Sequence, residues 1–298
     1  MQINIGDIVT RPSYDRDLLF RVISFTREGS NASDAILYGE NIRLIADAPF
    51  SDLEVVDPQE RLRRQRSEEE ILDRSLALIQ QDYRLAREKS EYAVTNGYGH
   101  SHQFFQLPGK VLHVDGDPNY LRKCLVLYNK IGIPVYGIHC SEKEMPKKVP
   151  ALINEIRPDI LVITGHDAYS KAQGEKGDIE AYRHSQYFVQ TVHEVRKQLP
   201  NLDQLVIFAG ACQSHFESII RAGANFASSP GRVNIHALDP VYIVAKVSLT
   251  PFTERVNIWD VLRNTLTGVK GLGGVETKGL LRTGMPYQFY DNEQNMNT

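Results

Sequence analysis

Two short runs end in side chains that could do chemistry. Phe208-Ala209-Gly210-Ala211-Cys212-Gln213-Ser214 delivers a thiol just past an apolar segment, and Ile163-Thr164-Gly165-His166-Asp167-Ala168 delivers an imidazole just past another. A thiol attacks a carbonyl as thiolate, so it needs a base or cation beside it, and a departing amine needs a proton. Imidazole titrates in the range that serves both. The small residues before Cys212 permit a sharp turn, and the following QSHFESIIRAGA has helical texture. That places the thiol near a helix N-terminus, where thiolate is favoured. Taken singly, a cysteine after an apolar strand is a small core residue and a loop histidine makes ordinary hydrogen bonds. Taken together, the two suggest a nucleophile and its proton shuttle.

The elements that must position them begin at Lys110. Apolar runs at 111–115, 135–140, 160–165 and 205–210 alternate with amphipathic segments at 118–131, 145–156 and 180–199. This is the texture of βαβ units, and it predicts an α/β domain over 107–290 with a parallel-rich sheet buried on both faces between helices. Right-handed crossovers then bring the loops after the strands to one edge, where open α/β sheets bind ligands. Cys212 and His166 both belong to that edge.

Upstream, residues 1–57 give short β-rich runs separated by turn formers such as Arg11-Pro12-Ser13. They predict a small β-barrel used for docking, and the opening Gly6-Asp7-Ile8-Val9 resembles SH3-like or KOW-like modules. Residues 58–106 read as a helical linker followed by a loop. Leu62, Ile71, Leu72, Leu76, Ile79 and Tyr83 recur at helical intervals among many charges, and Thr95 to Gln106 lacks periodicity. His100 and His102 in that loop make a poor metal site. Residues 291–298 form a flexible tail.

Composition narrows the class. The chain has 298 residues, 42% of them hydrophobic, and a net charge of −3 with both signs interspersed, so no basic field favours nucleic acid. Three widely spaced cysteines argue against a disulfide framework or a four-ligand zinc site and suit a reducing compartment. The start lacks a basic and apolar leader, and no run reaches the roughly 18 apolar residues of a membrane span. The reading is a cytosolic protein with no membrane span. Leu272-Gly273-Gly274-Val275 lacks the spacing of a phosphate-binding loop or dinucleotide fingerprint, and neither a metal nor an organic cofactor is expected.

His166 precedes Cys212 by 46 residues, with one long helix between two apolar strands. This order resembles the caspase-like cysteine peptidases, in which an Ala-Cys element follows the histidine by about 50 residues. The resemblance implies an oxyanion site made by the backbone N–H groups of Cys212 and Asp167. Those peptidases usually carry glycine after the histidine, where this chain has Asp167. A longer resemblance spans nearly the whole chain. PGKVLHVDGD, RPDILVITGHDAYSK, FAGACQSHFES, RAGANFASSP and NIHALDPVYIVAK are similar to the YabG family of sporulation-specific proteases. It implies a cysteine endopeptidase acting in the mother cell of a spore-forming bacterium on spore coat and other spore proteins, cutting beside arginine.

An arginine reader needs a pocket carboxylate. Asp115 and Asp117 after the first strand and Asp239 in Ala237-Leu238-Asp239-Pro240 are the candidates, with Asp115 or Asp117 favoured. Asp167 is a further candidate, either as that acid or as the group orienting His166. His215, one helical turn past Cys212, His184, Lys171 and the His139-Cys140 pair stay outside the catalytic set. Arg61, Arg63, Arg64 and Arg66 lie in the linker and form a candidate self-processing site. Two other readings remain open. One is a non-enzymatic coat morphogenesis scaffold with a structural Cys212. The other is an amidotransferase-like amide hydrolase, in which the histidine commonly follows the cysteine, opposite to the order here.

Overall fold

The computed structural model describes residues 3–28, 31–95 and 105–284. The N-terminal strands are β1 (Ile8–Thr10), β2 (Phe20–Glu28), β3 (Asn31–Gly39), β4 (Ile45–Pro49) and β5 (Glu54–Val55). They form one antiparallel sheet in the order β4-β3-β2-β1-β5. Alternation along the strands buries Val9, Phe20, Val22, Ala35, Leu37 and Ala48 as a small core of its own.

Helix α1 (Pro58–Thr95) follows in 38 residues. The Asp57 carboxylate accepts the N–H of Gln59 at 2.8 Å, and the run is rich in Glu, Arg, Gln and Leu, good helix formers. Leu76 and Ile79 are buried in the main core, and Asp82 pairs with Lys246 at 2.7 Å. The segment expected to be an exposed linker is therefore helical but packed along the α/β domain. Of the loop expected after it, residues 96–104, with His100 and His102, lie outside the described residues, as does the tail at 291–298.

After β6 (Phe105–Leu107) come β7 (Val111–Asp115), α2 (Pro118–Ile131), β8 (Val135–His139), α3 (Met145–Ile156), β9 (Ile160–Thr164), α4 (Ser185–Gln198), β10 (Val206–Ala209), α5 (Phe216–Arg221), β11 (Phe226–Ser228) and α6 (Asp239–Leu249). Then follow β12 (Arg255–Val256), α7 (Ile258–Leu262), β13 (Leu272–Gly274), β14 (Thr277–Lys278) and β15 (Arg282–Gly284). The central sheet runs β13-β11-β10-β9-β7-β8, parallel except for β13. Buried residues of α1, α2 and α6 cover one face and those of α3, α4 and α5 the other.

Helix ends follow local chemistry. Asp117 caps α2, Pro118 opens it at a fixed φ, and Gly132 closes it at φ 84°. The expected strand and helix positions agree to within a few residues, with α4 starting at Ser185 rather than 180. Strand β8 departs from the expected double burial. It pairs only with β7, and Tyr136 on it is 52% exposed because an edge strand lacks a neighbour to complete its cover.

Candidate active site

Strand register brings three strand ends together. Ala209 of β10 pairs with Ile163 of β9, and Thr164 of β9 pairs with Asp115 of β7. Three residues beyond Ala209 and Ile163 lie Cys212 and His166, and two beyond Asp115 lies Asp117. The carboxyl edge of the sheet thus gathers a thiol, an imidazole and two carboxylates from neighbouring loops.

The turn that carries Cys212 is built from unusual backbone. Gly210 has φ +112° and Gln213 has φ +55°, so the chain reverses within a few residues. A Cβ on Gly210 would sit 2.4 Å from the Ser228 hydroxyl oxygen. Gly210→Ala is therefore expected to cost at least about 2 kcal/mol in urea denaturation, from combined strain and overlap, and to misplace the thiol. The Ser214 hydroxyl accepts the N–H of Ala211 at 2.9 Å and donates to Asp167 at 2.8 Å. Asp167 also takes the Ser185 hydroxyl and the N–H groups of Ala168 and His184. Asp167 is thus a brace between the histidine and cysteine loops. With both oxygens so occupied, it neither orients His166 nor can receive a guanidinium.

Among the described residues, neither the Cys212 nor the Asp167 N–H donates a hydrogen bond to a protein acceptor. Unpaired donors at these two positions suit an oxyanion.

His166 is oriented by Asp117. Nε2 lies 2.9 Å from Asp117 Oδ2, and since an ionised carboxylate only accepts, Nε2 carries the proton. Nδ1 is buried with no partner, which leaves it the lone pair a base requires. The other Asp117 oxygen accepts Tyr38 OH at 3.0 Å and the N–H groups of Asn119 and Tyr120. Burial opposes the charge on Asp117, but the His166 hydrogen bond and these amides outweigh it and hold the carboxyl below its ordinary value. Asp117, a candidate pocket acid in the sequence, is instead committed to the imidazole. The main chain of His166 is pinned as well, its N–H donating to Glu142 at 2.8 Å and its carbonyl contacting His184 Nδ1 at 2.7 Å. Glu142 lies against Gly116 and Gly165, where an added Cβ would meet its carboxylate at 2.2 and 2.3 Å. Nothing in sequence spacing points to Glu142, which reaches this loop only through the fold.

Cys212 is fully buried. Its sulfur accepts the Ile235 N–H at 3.2 Å. Burial pushes the thiol up to about 12, although the Ile235 N–H and the charge of Arg43 work the other way. The helix expected to favour thiolate begins only at Phe216 and has six residues. Its N-terminal N–H is capped by His215 rather than directed at the sulfur, so in this state desolvation dominates. Neither nitrogen of His166 reaches the thiol.

Asp239 proves to be structural. It accepts the N–H groups of Leu266 at 2.7 Å and His236 at 3.1 Å and the Thr267 hydroxyl. Asp115 pairs with Arg43 from the loop between β3 and β4, Nη1 donating to both carboxylate oxygens at 2.7 and 3.0 Å, with both side chains fully buried. Burial disfavours its charge, yet the guanidinium holds it far below the usual carboxylate range. His215 contacts the Gly177 carbonyl, and His139 that of Gly116. Cys140 packs in the core formed with α3 and α4, and Lys171 is exposed.

The arginines of α1 lie within continuous helix, where Glu60 pairs with Arg63 and Arg64. A cleft of about 790 Å³ lies between α1 and α2 and is lined by residues such as Asn41, Leu72, Lys123 and His236, not by Cys212 or His166. Among the described residues no cluster of three or more His, Cys, Asp or Glu side chains could hold a metal ion, and no helix is long and apolar enough to cross a membrane.

No solved structure matches this chain. The sporulation-specific protease YabG of Bacillus subtilis is 62% identical over 288 residues, covering 97% of this chain and 99% of that protein. The family described as YabG peptidase U57 matches residues 4–286, so the α/β domain and the N-terminal sheet fall within one match. The chain therefore belongs to the YabG peptidase U57 family.

Proposed function

We propose that this peptidase is a cysteine endopeptidase that cuts spore coat and other spore proteins beside arginine during sporulation. Cys212 is the nucleophile and His166 the proton shuttle. The observation that carries this reading is the convergence at the sheet edge, where an imidazole fixed by Asp117 and a thiol on a reversed turn follow adjacent strands in register.

In the mechanism, the Nδ1 lone pair of His166 takes the thiol proton as substrate binds. The thiolate attacks the carbonyl carbon after arginine, and the N–H groups of Cys212 and Asp167 receive the oxyanion. His166 returns the proton to the leaving amine, and the thioester is then hydrolysed by water that His166 deprotonates. Asp117 stabilises the imidazolium that forms between these steps. The histidine-then-cysteine order favours a caspase-like ancestry over the amidotransferase-like one. The N-terminal sheet, read as an SH3-like docking module, brings the enzyme to the forming coat from the mother-cell cytoplasm. Self-processing at residues 61–66 requires the first turns of α1 to unwind, because a peptidase cleft takes an extended chain.

Mass spectrometry of an arginine-containing spore protein tests the reading. New termini beside arginine are expected with wild type and not with Cys212→Ala. Cleavage that survives in Cys212→Ala would remove the cysteine mechanism, and intact substrate with every protein would favour the coat scaffold.

A further inference from the structure

Arg43 is the largest fully buried side chain in the described structure, and it does not belong to the domain that buries it. It projects from the loop between β3 and β4 into the α/β domain. There Nη1 of its guanidinium donates to both Asp115 oxygens, at 2.7 and 3.0 Å, and Nη2 donates to the Ala237 carbonyl at 3.2 Å. The same nitrogen lies 3.5 Å from Cys124 Sγ, and the guanidinium sits 5.2 Å from the Tyr120 ring centroid. A buried carboxylate, a carbonyl and an aromatic ring suit recognition of an arginine side chain.

The backbone of this loop contacts the segment next to Cys212. Ile42 bridges His236 in antiparallel fashion, and the Ala237 N–H donates to the Asn41 carbonyl at 2.8 Å. This single antiparallel bridge is the kind of main-chain contact by which extended peptides are held in grooves. His236 and Ala237 directly follow Ile235, whose N–H bonds the Cys212 sulfur at 3.2 Å. The three residues 41–43 therefore pass beside the segment that follows Ile235 and end with an arginine whose guanidinium is paired with a buried acid.

We propose that Asp115, Tyr120, Cys124 and the Ala237 carbonyl form the arginine-specificity pocket, and that Arg43 fills it as a built-in occupant which a substrate arginine must displace. The proposal rests on the arginine-directed peptidase reading and names its acid and its restraint. It also accounts for the burial of Cys212, because the thiol is closed off by the loop.

Two features make the occupant displaceable. The loop turns back at once, with the Leu44 N–H on the Ile42 carbonyl at 2.7 Å and the Gly39 N–H on the Leu44 carbonyl at 2.9 Å, so Arg43 stands at the tip of a tight turn rather than in an extended strand. Its Nε is buried without a partner. A substrate arginine on an extended backbone can pair that donor, which Arg43 at the tip of its turn does not.

The experiment uses the full chain and two readouts that require no cleavage. One is the rate of iodoacetamide labelling at Cys212, mapped by mass spectrometry, and the other is the effect on that rate of agmatine, a small guanidinium ligand. Arg43→Ala is expected to label at Cys212 at least 10-fold faster than wild type, with millimolar agmatine slowing it back toward the wild-type rate. Arg43→Ala/Asp115→Asn should label equally fast but ignore agmatine. Circular dichroism checks folding, and if Arg43→Ala does not fold, Arg43→Met, which keeps the apolar stem, replaces it. Folded protein whose Cys212 labels no faster than wild type would overturn the occupant. Agmatine protection that persists in the double variant would overturn the pocket. Agmatine protection without cleavage of any substrate would count against the peptidase reading and leave the pocket standing. Cleavage beside arginine without agmatine protection in Arg43→Ala would do the reverse.

Discussion

His166→Ala is expected to lower kcat/KM toward arginine-containing peptides by on the order of 10³-fold or more. A positioned acid and base contributes about 10²- to 10⁴-fold, and here the same ring serves two further needs. It must ionise a thiol that burial has pushed up to about 12, and it must protonate an amine that leaves poorly as an anion. The loss should therefore appear in kcat as well as in kcat/KM. Steady-state assays with a fluorogenic arginine amide, paired with the matching ester, check this. The ester has a better leaving group and should lose less than the amide, because it depends less on the returned proton. Equal losses on both would point to a structural collapse of the loop, and an unchanged rate would remove His166 from the mechanism.

Asp117→Asn should carry the second large effect, a fall in kcat of about 10²- to 10⁴-fold with little change in KM. The reason lies in the tautomer. Asp117 accepts from Nε2 and so leaves Nδ1 unprotonated. An asparagine amide at that position can turn its NH₂ toward Nε2, which places the proton on Nδ1 and removes the base. It also withdraws the negative charge that stabilises the imidazolium. Asn retains the capping acceptor of α2, so stability should change by less than about 2 kcal/mol. A merely structural role for Asp117 would give the opposite pattern, with a large fall in denaturation midpoint and only a proportionate loss of activity. The pH profile adds a further readout. The folded Asp117 carboxyl lies below its ordinary value, so the wild type keeps this support down to acid pH and loses it only as the pH falls through that lowered value. In Asp117→Asn the activity that remains should rise with alkaline pH, where imidazole and thiol can lose protons without the carboxylate's help.

The parts legible in the sequence share a physical basis. Strands such as Val111–Asp115 and Ile160–Thr164 are continuous apolar runs because both faces are covered, and helices such as Pro118–Ile131 announce themselves by an aspartate cap, a proline and a closing glycine. Once those strands are parallel and adjacent, handedness alone brings the loops of His166 and Cys212 to one edge. The α/β class and the meeting of the His166 and Cys212 loops at one sheet edge were therefore readable from order and spacing.

Tertiary structure decided how the four aspartates divide their tasks. Asp115, Asp117, Asp167 and Asp239 are equivalent in sequence, each beside a strand end or loop at the same edge. Their environments separate them, with Asp117 on the imidazole, Asp167 bracing two loops through Ser185 and Ser214, Asp239 fastened to Thr267, and Asp115 opposite a guanidinium. Those partners lie from 18 to 72 residues away along the chain, beyond any local pattern. The state of the thiol was equally hidden. A short-range reading expects a helix N-terminus to lower its pKa, whereas burial in the folded chain raises it. Sequence determined the strand ends on which the reactive groups stand, since that follows from local periodicity. Charge, protonation and access at those groups depend on desolvation and on contacts between distant segments, and only the folded chain brings those together.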